Sequence, residues 1–166
     1  MSRVRLAQLC IEEGHPSVGE GIAREAVEQF RQEKLLGNEA EATAVVAQSL
    51  AGEQKLDEAI GEVDRATALA ANSENAELHL TVGLIAGQVH AAAGQCAEAT
   101  KLLHATLSDA TAAGFVGYEL EARLALAQVA IESGAAAAHR GRLRDLEKEA
   151  SAKGFLVIAR KAAALN

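Results

Sequence analysis

A small residue followed by glutamine recurs every 40 residues along this chain, as Ala7-Gln8, Ala47-Gln48, Gly87-Gln88 and Ala127-Gln128. The later units superpose further, Leu103 on Leu143, Ala110 on Ala150, and Gly114-Phe115 on Gly154-Phe155. A fixed interval of this size marks stacked supersecondary units, none of which can bury its apolar stripe alone. Within each interval apolar residues return at three- and four-residue spacing, the helical period. The chain therefore reads as all-α, a row of antiparallel helix pairs whose core forms only by stacking.

Composition supports tight helix-on-helix packing. Hydrophobic residues make up 49% of the 166 positions, aromatics only 2%, and there is one proline. An interior of Ala, Leu, Val and Ile lets helix axes approach closely, and alanine is the strongest helix former.

Taken in order, Ser2 to Glu13 reads as a first helix ended by Gly14. It lacks the opening turn of its counterpart near Asn38 or Glu39, as expected of a fragment of a longer protein or of an abrupt start. His15-Pro16-Ser17 is a turn, and Ser17 with Glu20 has capping-box spacing before a helix running to about Leu36 and closed by Gly37. Asn38 with Glu41 gives a second capping box, followed by a helix from about Glu39 to Ala51 and another from Leu56 to Ala70. Ser73 or Asn75 caps a third pair, about Glu74 to Ala93 and Cys96 to Ala113. A fourth pair covers about Gly117 to Ser133 and Ala136 to Lys153, and a last helix Phe155 to about Leu165. The expected organisation is one domain over 1–166, with repeats at about 2–37, 38–73, 74–114 and 115–154 and a final helix at 155–165.

The formal net charge of −7 disfavours nucleic acid and anionic membrane as partners. It is unevenly spread: nine basic residues stand against twenty acidic ones before Ala135, and seven against three from there on. Cys10 and Cys96 lack CxxC spacing and fall in different repeats, which points to neither a disulfide framework nor a zinc site. Without a secretory signal or an 18-residue apolar run, the expected location is cytoplasmic.

The stretch GQVHAAAGQCAEAT carries a family resemblance. Gly87, Gly94 and Ala99 stand where tetratricopeptide repeats place a small residue in the first helix, a glycine in the turn and an alanine at the close crossing, and Ala47 and Ala59 keep the same spacing. The chain departs from that family in its period of 40, in lacking the consensus tryptophan and tyrosine, and in carrying Gly19 and His139 at the positions of Ala59 and Ala99. It resembles the longer, divergent tetratricopeptide-like arrays found beside effector domains in bacterial signalling proteins. The resemblance implies a right-handed α-solenoid of four helix pairs plus a C-terminal helix, and protein or peptide binding in its concave groove.

It also implies that the residue after the small one faces the groove. Gln8, Gln48, Gln88 and Gln128 would then form a row roughly 10 Å apart, with Leu84 and Leu124 beside them. A primary amide donates and accepts together, which suits an extended peptide backbone, although glutamine is equally at home on any exposed helix face. The family's cationic carboxylate clamp has no counterpart among Glu41, Ala44, Gln48, Ala51, Thr81, Leu84 and Gln88. The acidic middle, Glu39, Glu41, Glu53, Asp57, Glu58, Glu62 and Asp64, suits either a basic partner or plain solvation. Arg140, Arg144 and Lys148 share a helix stripe with Arg142 nearby, a basic patch fit for an acidic surface such as that of a second copy, or for solvent and local pairs with Asp145 and Glu149.

The histidines and carboxylates do not compose a catalytic or metal site. His79 and His90 are about 16 Å apart along a helix, and the packed environment of neighbouring units fits His90 better than ligation. No GxSxG, GxxxxGK[ST] or HExxH occurs. The sequence thus leads to a non-enzymatic protein with no cofactor and no metal. Its expected role is a binding scaffold for a protein, a peptide or a domain of the same polypeptide. The alternative is a structural segment that self-associates through exposed helix faces into a homo-oligomer.

Overall fold

The computed structural model describes residues 2–134 and 136–166, without the side chains of residues 136–139, so the expected correspondence at His139 lies outside the description. Nine α-helices and no strand occur among the described residues: α1 (Arg3–Glu12), α2 (Pro16–Gln32), α3 (Leu36–Gly52), α4 (Leu56–Ala70), α5 (Ala76–Ala92), α6 (Cys96–Ala113), α7 (Val116–Glu132), α8 (Ala136–Ala152) and α9 (Leu156–Ala164). From α2 onward every helix starts 20 residues after the one before it. The 40-residue repeat is therefore two equal halves.

One turn geometry enforces this spacing. Two residues before most helix starts the backbone is left-handed, at Gly14, Lys34, Gln54, Gly94, Gly114, Gly134 and Gly154. The following N–H then reaches the carbonyl five residues back, His15 to Cys10 at 2.8 Å, Leu35 to Phe30 at 2.9 Å and Lys55 to Leu50 at 2.9 Å, the Schellman closure. Each of those residues is also the last before the next helix, so the chain reverses within three residues. The turn between α4 and α5 differs. There Asn75 caps α5 by accepting from the Leu78 N–H at 3.3 Å, while the Ser73 hydroxyl accepts from the Asn75 N–H at 3.1 Å.

Two expectations are corrected here. Gly37 does not close α2; the closure is made by Lys34, and α3 opens at Leu36, so the expected repeat boundary at Gly37 falls inside the first turn of α3. The capping boxes at Ser17 and Asn38 are absent too, since His15 and Leu35 occupy the N-cap positions without a side-chain cap bond. Pro16 at the first helical position makes the cap dispensable, because its missing N–H would have been unsatisfied in any case.

Contacts follow chain order. Each helix packs on its sequence neighbours, and the odd-numbered helices also touch one another in the series α1, α3, α5, α7, α9, whereas no two even-numbered helices do among the described residues. Small residues set the approach. A Cβ on Gly19 would lie 2.9 Å from both the Ala7 carbonyl and Ile11, and one on Gly87 would lie 2.5 Å from Leu103. Ala7, Ala47 and Ala127 are buried at the same register as Gly87. Burial is continuous along the row: one cluster spans α1 to α5, a second joins α5, α6 and α7, and a third joins α7, α8 and α9.

Charges clasp the first cluster from outside. Glu39, buried on α3, accepts from Arg31 of α2 at 3.1 Å and from Arg65 of α4 at 2.8 Å. Arg65 and Arg24 both reach Glu62 at 3.4 Å. Because the arginines are half-exposed, they can rehydrate if the carboxylate is lost, which limits its worth. Glu39→Ala is expected to cost about 1–3 kcal/mol in urea denaturation, and Glu62→Ala less. Left-handed φ at a non-glycine residue costs about 1 kcal/mol, so Lys34→Gly and Gln54→Gly should each raise the urea midpoint by about that amount of stability.

Candidate functional site

Packing on both sides leaves α3, α5 and α7 little accessible surface, and what remains repeats. Between Glu39 and Leu50 of α3 only Glu41 and Gln48 are not buried. They lie seven residues apart, two helical turns, hence on one stripe. The same register in α5 gives Thr81 and Gln88, and in α7 Glu121 and Gln128, all accessible at least in part. These pairs stand side by side on helices in mutual contact, forming one polar strip across the odd-helix row.

The strip is electrostatically connected. The Thr81 hydroxyl lies 2.7 Å from the Tyr118 hydroxyl, which also donates to Glu77 at 3.5 Å, linking α5 to α7. Burial raises the Glu41 carboxyl above its ordinary range, the charge of Glu77 adds to this, and Arg5 opposes it. Glu121 is raised as well, by desolvation first, with Lys161 opposing, Glu12 adding and Arg5 opposing. Its side chain is open to solvent, yet enough protein surrounds it to displace much of its hydration. Tyr118 is pushed up by burial against the lowering effect of Thr81, with Glu77, Glu121 and Glu41 adding to the rise. The strip thus holds acidic groups whose negative charge is disfavoured by their own surroundings.

The candidates from sequence divide. Gln8, Gln48, Gln88 and Gln128 are all partly buried at one register. Gln8 accepts from Arg5 at 3.1 Å, while the other three amides make no side-chain hydrogen bond among the described residues. Leu84 and Leu124 do not lie on the accessible strip. They are 5% and 6% exposed and belong to the core clusters, because their positions turn toward the neighbouring odd helices.

The acidic middle is split by the fold. Glu39, Glu53 and Glu62 are paired with arginine or lysine on α2, α4 or the turn before α4; Asp57, Glu58 and Asp64 are exposed on α4; Glu41 alone lies on the strip. Arg140, Arg142, Arg144 and Lys148 are exposed on α8, away from the strip. Glu149 is not a local partner for them: it pairs with Arg123 of α7 at 2.7 Å and with Lys153 at 2.8 Å.

His79 bonds the Ser73 carbonyl through its Nε2 at 2.7 Å, and the Nδ1 of His90 lies 2.6 Å from Gln95 Oε1. Among the described residues no three His, Cys, Asp or Glu side chains converge as metal ligands, and no helix is long and apolar enough to cross a membrane. Sequence reasoning did not reach Tyr118, Glu77 and Glu121. The 40-residue register held the signal for Glu121, since it places that residue on Glu41 and Thr81. No protein-family model, curated protein or solved structure matches the chain.

A raised carboxyl pKa has a definite sign in stability. The folded state then holds its proton more tightly than the unfolded chain, so stability falls as pH rises from the unfolded pKa through the folded one. Glu41→Gln and Glu121→Gln should therefore raise the melting temperature near pH 7, and the gain should vanish at acid pH where both carboxyls are protonated. Differential scanning calorimetry across pH reads this directly.

Proposed function

We propose that the chain is a tetratricopeptide-like helical array whose odd-numbered helices line a concave groove, and that the groove binds an extended, cationic segment of a protein partner. The observation that carries this reading is the polar strip itself, with Glu41, Gln48, Thr81, Gln88, Glu121 and Gln128 at one register on odd-numbered helices packed against one another. A row bent toward its odd-helix side would make this strip the floor of a groove, as curvature in a repeat array does.

The chemistry of the strip supports the occupant. Gln48, Gln88 and Gln128 offer amides that both donate and accept, matched to a peptide backbone. Glu41 and Glu121 are set against desolvation and like charge, and a lysine or arginine from a ligand relieves both. The reading is of a recognition module without catalysis, of the kind that tetratricopeptide-like regions supply in bacterial signalling proteins.

Fluorescence anisotropy with length-matched labelled peptides provides the test. A Lys/Arg-rich peptide should bind, an Asp/Glu-rich one should not, and raised salt should weaken the complex. Replacing both Gln48 and Gln88 with Ala removes two net hydrogen bonds of about 1 kcal/mol each, for a loss of about tenfold or more in affinity. Equal binding of acidic and basic peptides, or a double variant with unchanged affinity, would defeat the proposal.

A further inference from the structure

The polar strip consists of two rows that differ in chemistry. One carries Glu41, Thr81 and Glu121 and the other Gln48, Gln88 and Gln128, on α3, α5 and α7 in turn. Seven residues separate the rows on each helix, which is about 10 Å along its axis. The three amides have no side-chain hydrogen bond among the described residues, whereas Gln8, at the same register of α1, accepts from Arg5 at 3.1 Å. On α9 the first row continues with Lys161, which is exposed at the register of Glu121. Uncommitted amides are therefore offered on α3, α5 and α7, with a cation on the odd helix to either side of that span.

Charge along the first row is not uniform. Glu41 and Glu121 bracket Thr81, whose hydroxyl is engaged: it donates to the Glu77 carbonyl at 3.0 Å and lies 2.7 Å from the Tyr118 hydroxyl. Two carboxyls thus stand two odd helices apart with an uncharged position between them. Glu77 is exposed one turn before Thr81, on the side away from the amides. Eleven residues of α5, about 16 Å, put it out of reach of a side chain that starts over Gln88. Glu132 is exposed one turn after Gln128, on the other flank of the amide row. Its register partners on α3 and α5 are Gly52 and Ala92, and Glu12 lies on α1, so that flank offers no second carboxylate on the three helices.

An extended segment laid over the amides, across the helices, sends alternate side chains to opposite flanks. Those on one flank approach the first row, over a gap that a long lysine or arginine side chain and a glutamate close between them. Packed helices lie 8–10 Å apart, so the path from α3 to α7 is about 18 Å, and less along the inside of a bent row. At about 3.3 Å per residue this is roughly four to six residues, and only an even number returns to the same flank.

We propose that the strip reads a charge pattern: two lysine or arginine residues roughly four or six positions apart in an extended segment, one on Glu41 and one on Glu121, with uncharged residues between them over Thr81. Arg5 and Lys161 set the limits, because a ligand cation placed beyond either carboxylate meets like charge. This register rests on the peptide-binding reading of the strip and adds to it a spacing that the ligand must match.

Fluorescence anisotropy at low salt tests it with labelled peptides of one length, each holding two lysines in an uncharged background. Lysines four or six positions apart should give about tenfold tighter binding than lysines three, five or ten apart, through a second charge-assisted contact. Glu121→Lys should abolish the preference. A lysine is already present at that register in Lys161, and circular dichroism verifies the helices; Glu121→Gln takes its place if helicity falls. Exchanging one peptide lysine for glutamate, in one order or the other, should improve binding to Glu121→Lys. Equal affinity at every spacing, or a spacing preference that survives in Glu121→Lys, would overturn the register. If no two-lysine peptide binds while the Lys/Arg-rich peptide does, the register alone fails; if neither binds, the groove reading fails with it.

Discussion

The reversal of direction in three residues is the constraint on which the other features of this structure depend. A left-handed residue followed by an N–H bonded five residues back ends one helix and starts the next without a loop. Helices so joined must lie side by side and antiparallel. With most turns three residues long, the helices from α2 onward start at 20-residue intervals, and a residue's side of the row is fixed by its position in that interval. Small residues at the crossings, Ala7, Gly19, Ala47, Gly87 and Ala127, then act together because each meets a partner helix at the same level. Changing one turn by a residue would shift the helix after it by about 100° of register relative to the helices before it, turning the wrong face toward them.

This also explains what could be read from the sequence. The helix pairs, the crossing alanines and the glutamine register were legible, because apolar spacing and small residues report directly on burial. The 20-residue half-period was not, since Lys34 and Gln54 make the left-handed turn without the glycine that signals it at Gly14, Gly94 and Gly114. Glycine at position 37 attracted the boundary, yet that residue sits in the first turn of α3, where a Cβ would come 3.5 Å from Leu78. Leu84 and Leu124 were misplaced for a related reason. Membership of a helix face fixes direction, but only the tightness of packing between α3, α5 and α7 decides whether a side chain on that face still meets solvent.

The arginines show the same limit of sequence reasoning. Arg24, Arg31 and Arg65 look like independent surface charges on α2 and α4, separated by many residues. In the fold they converge on Glu39 and Glu62 and stitch three helices together. A charge run therefore cannot be assigned to a partner before the internal pairs are subtracted. Once they are, the net acidity near the middle of the chain resolves into exposed groups on α4 and a single carboxylate, Glu41, on the odd-helix strip.

The direction of each pKa displacement sorts the carboxylates by what they do for the fold. Glu20 is lowered, first by its hydrogen bond from Arg24, and Glu149 is lowered by those from Lys153 and Arg123. Ionisation of these two is favoured by folding, so their positions are explained by stability. Glu41 and Glu121 are displaced upward, and folding works against their ionisation. An alanine or glutamine at either position would serve the helix and relieve the desolvation, as Thr81 does at the same register of α5. Glu41 and Glu121 are therefore two carboxylates at matching positions whose ionisation the fold does not favour. Under the proposed peptide-binding role, cations delivered by a bound segment would lower both displaced groups at once and leave the paired ones unchanged.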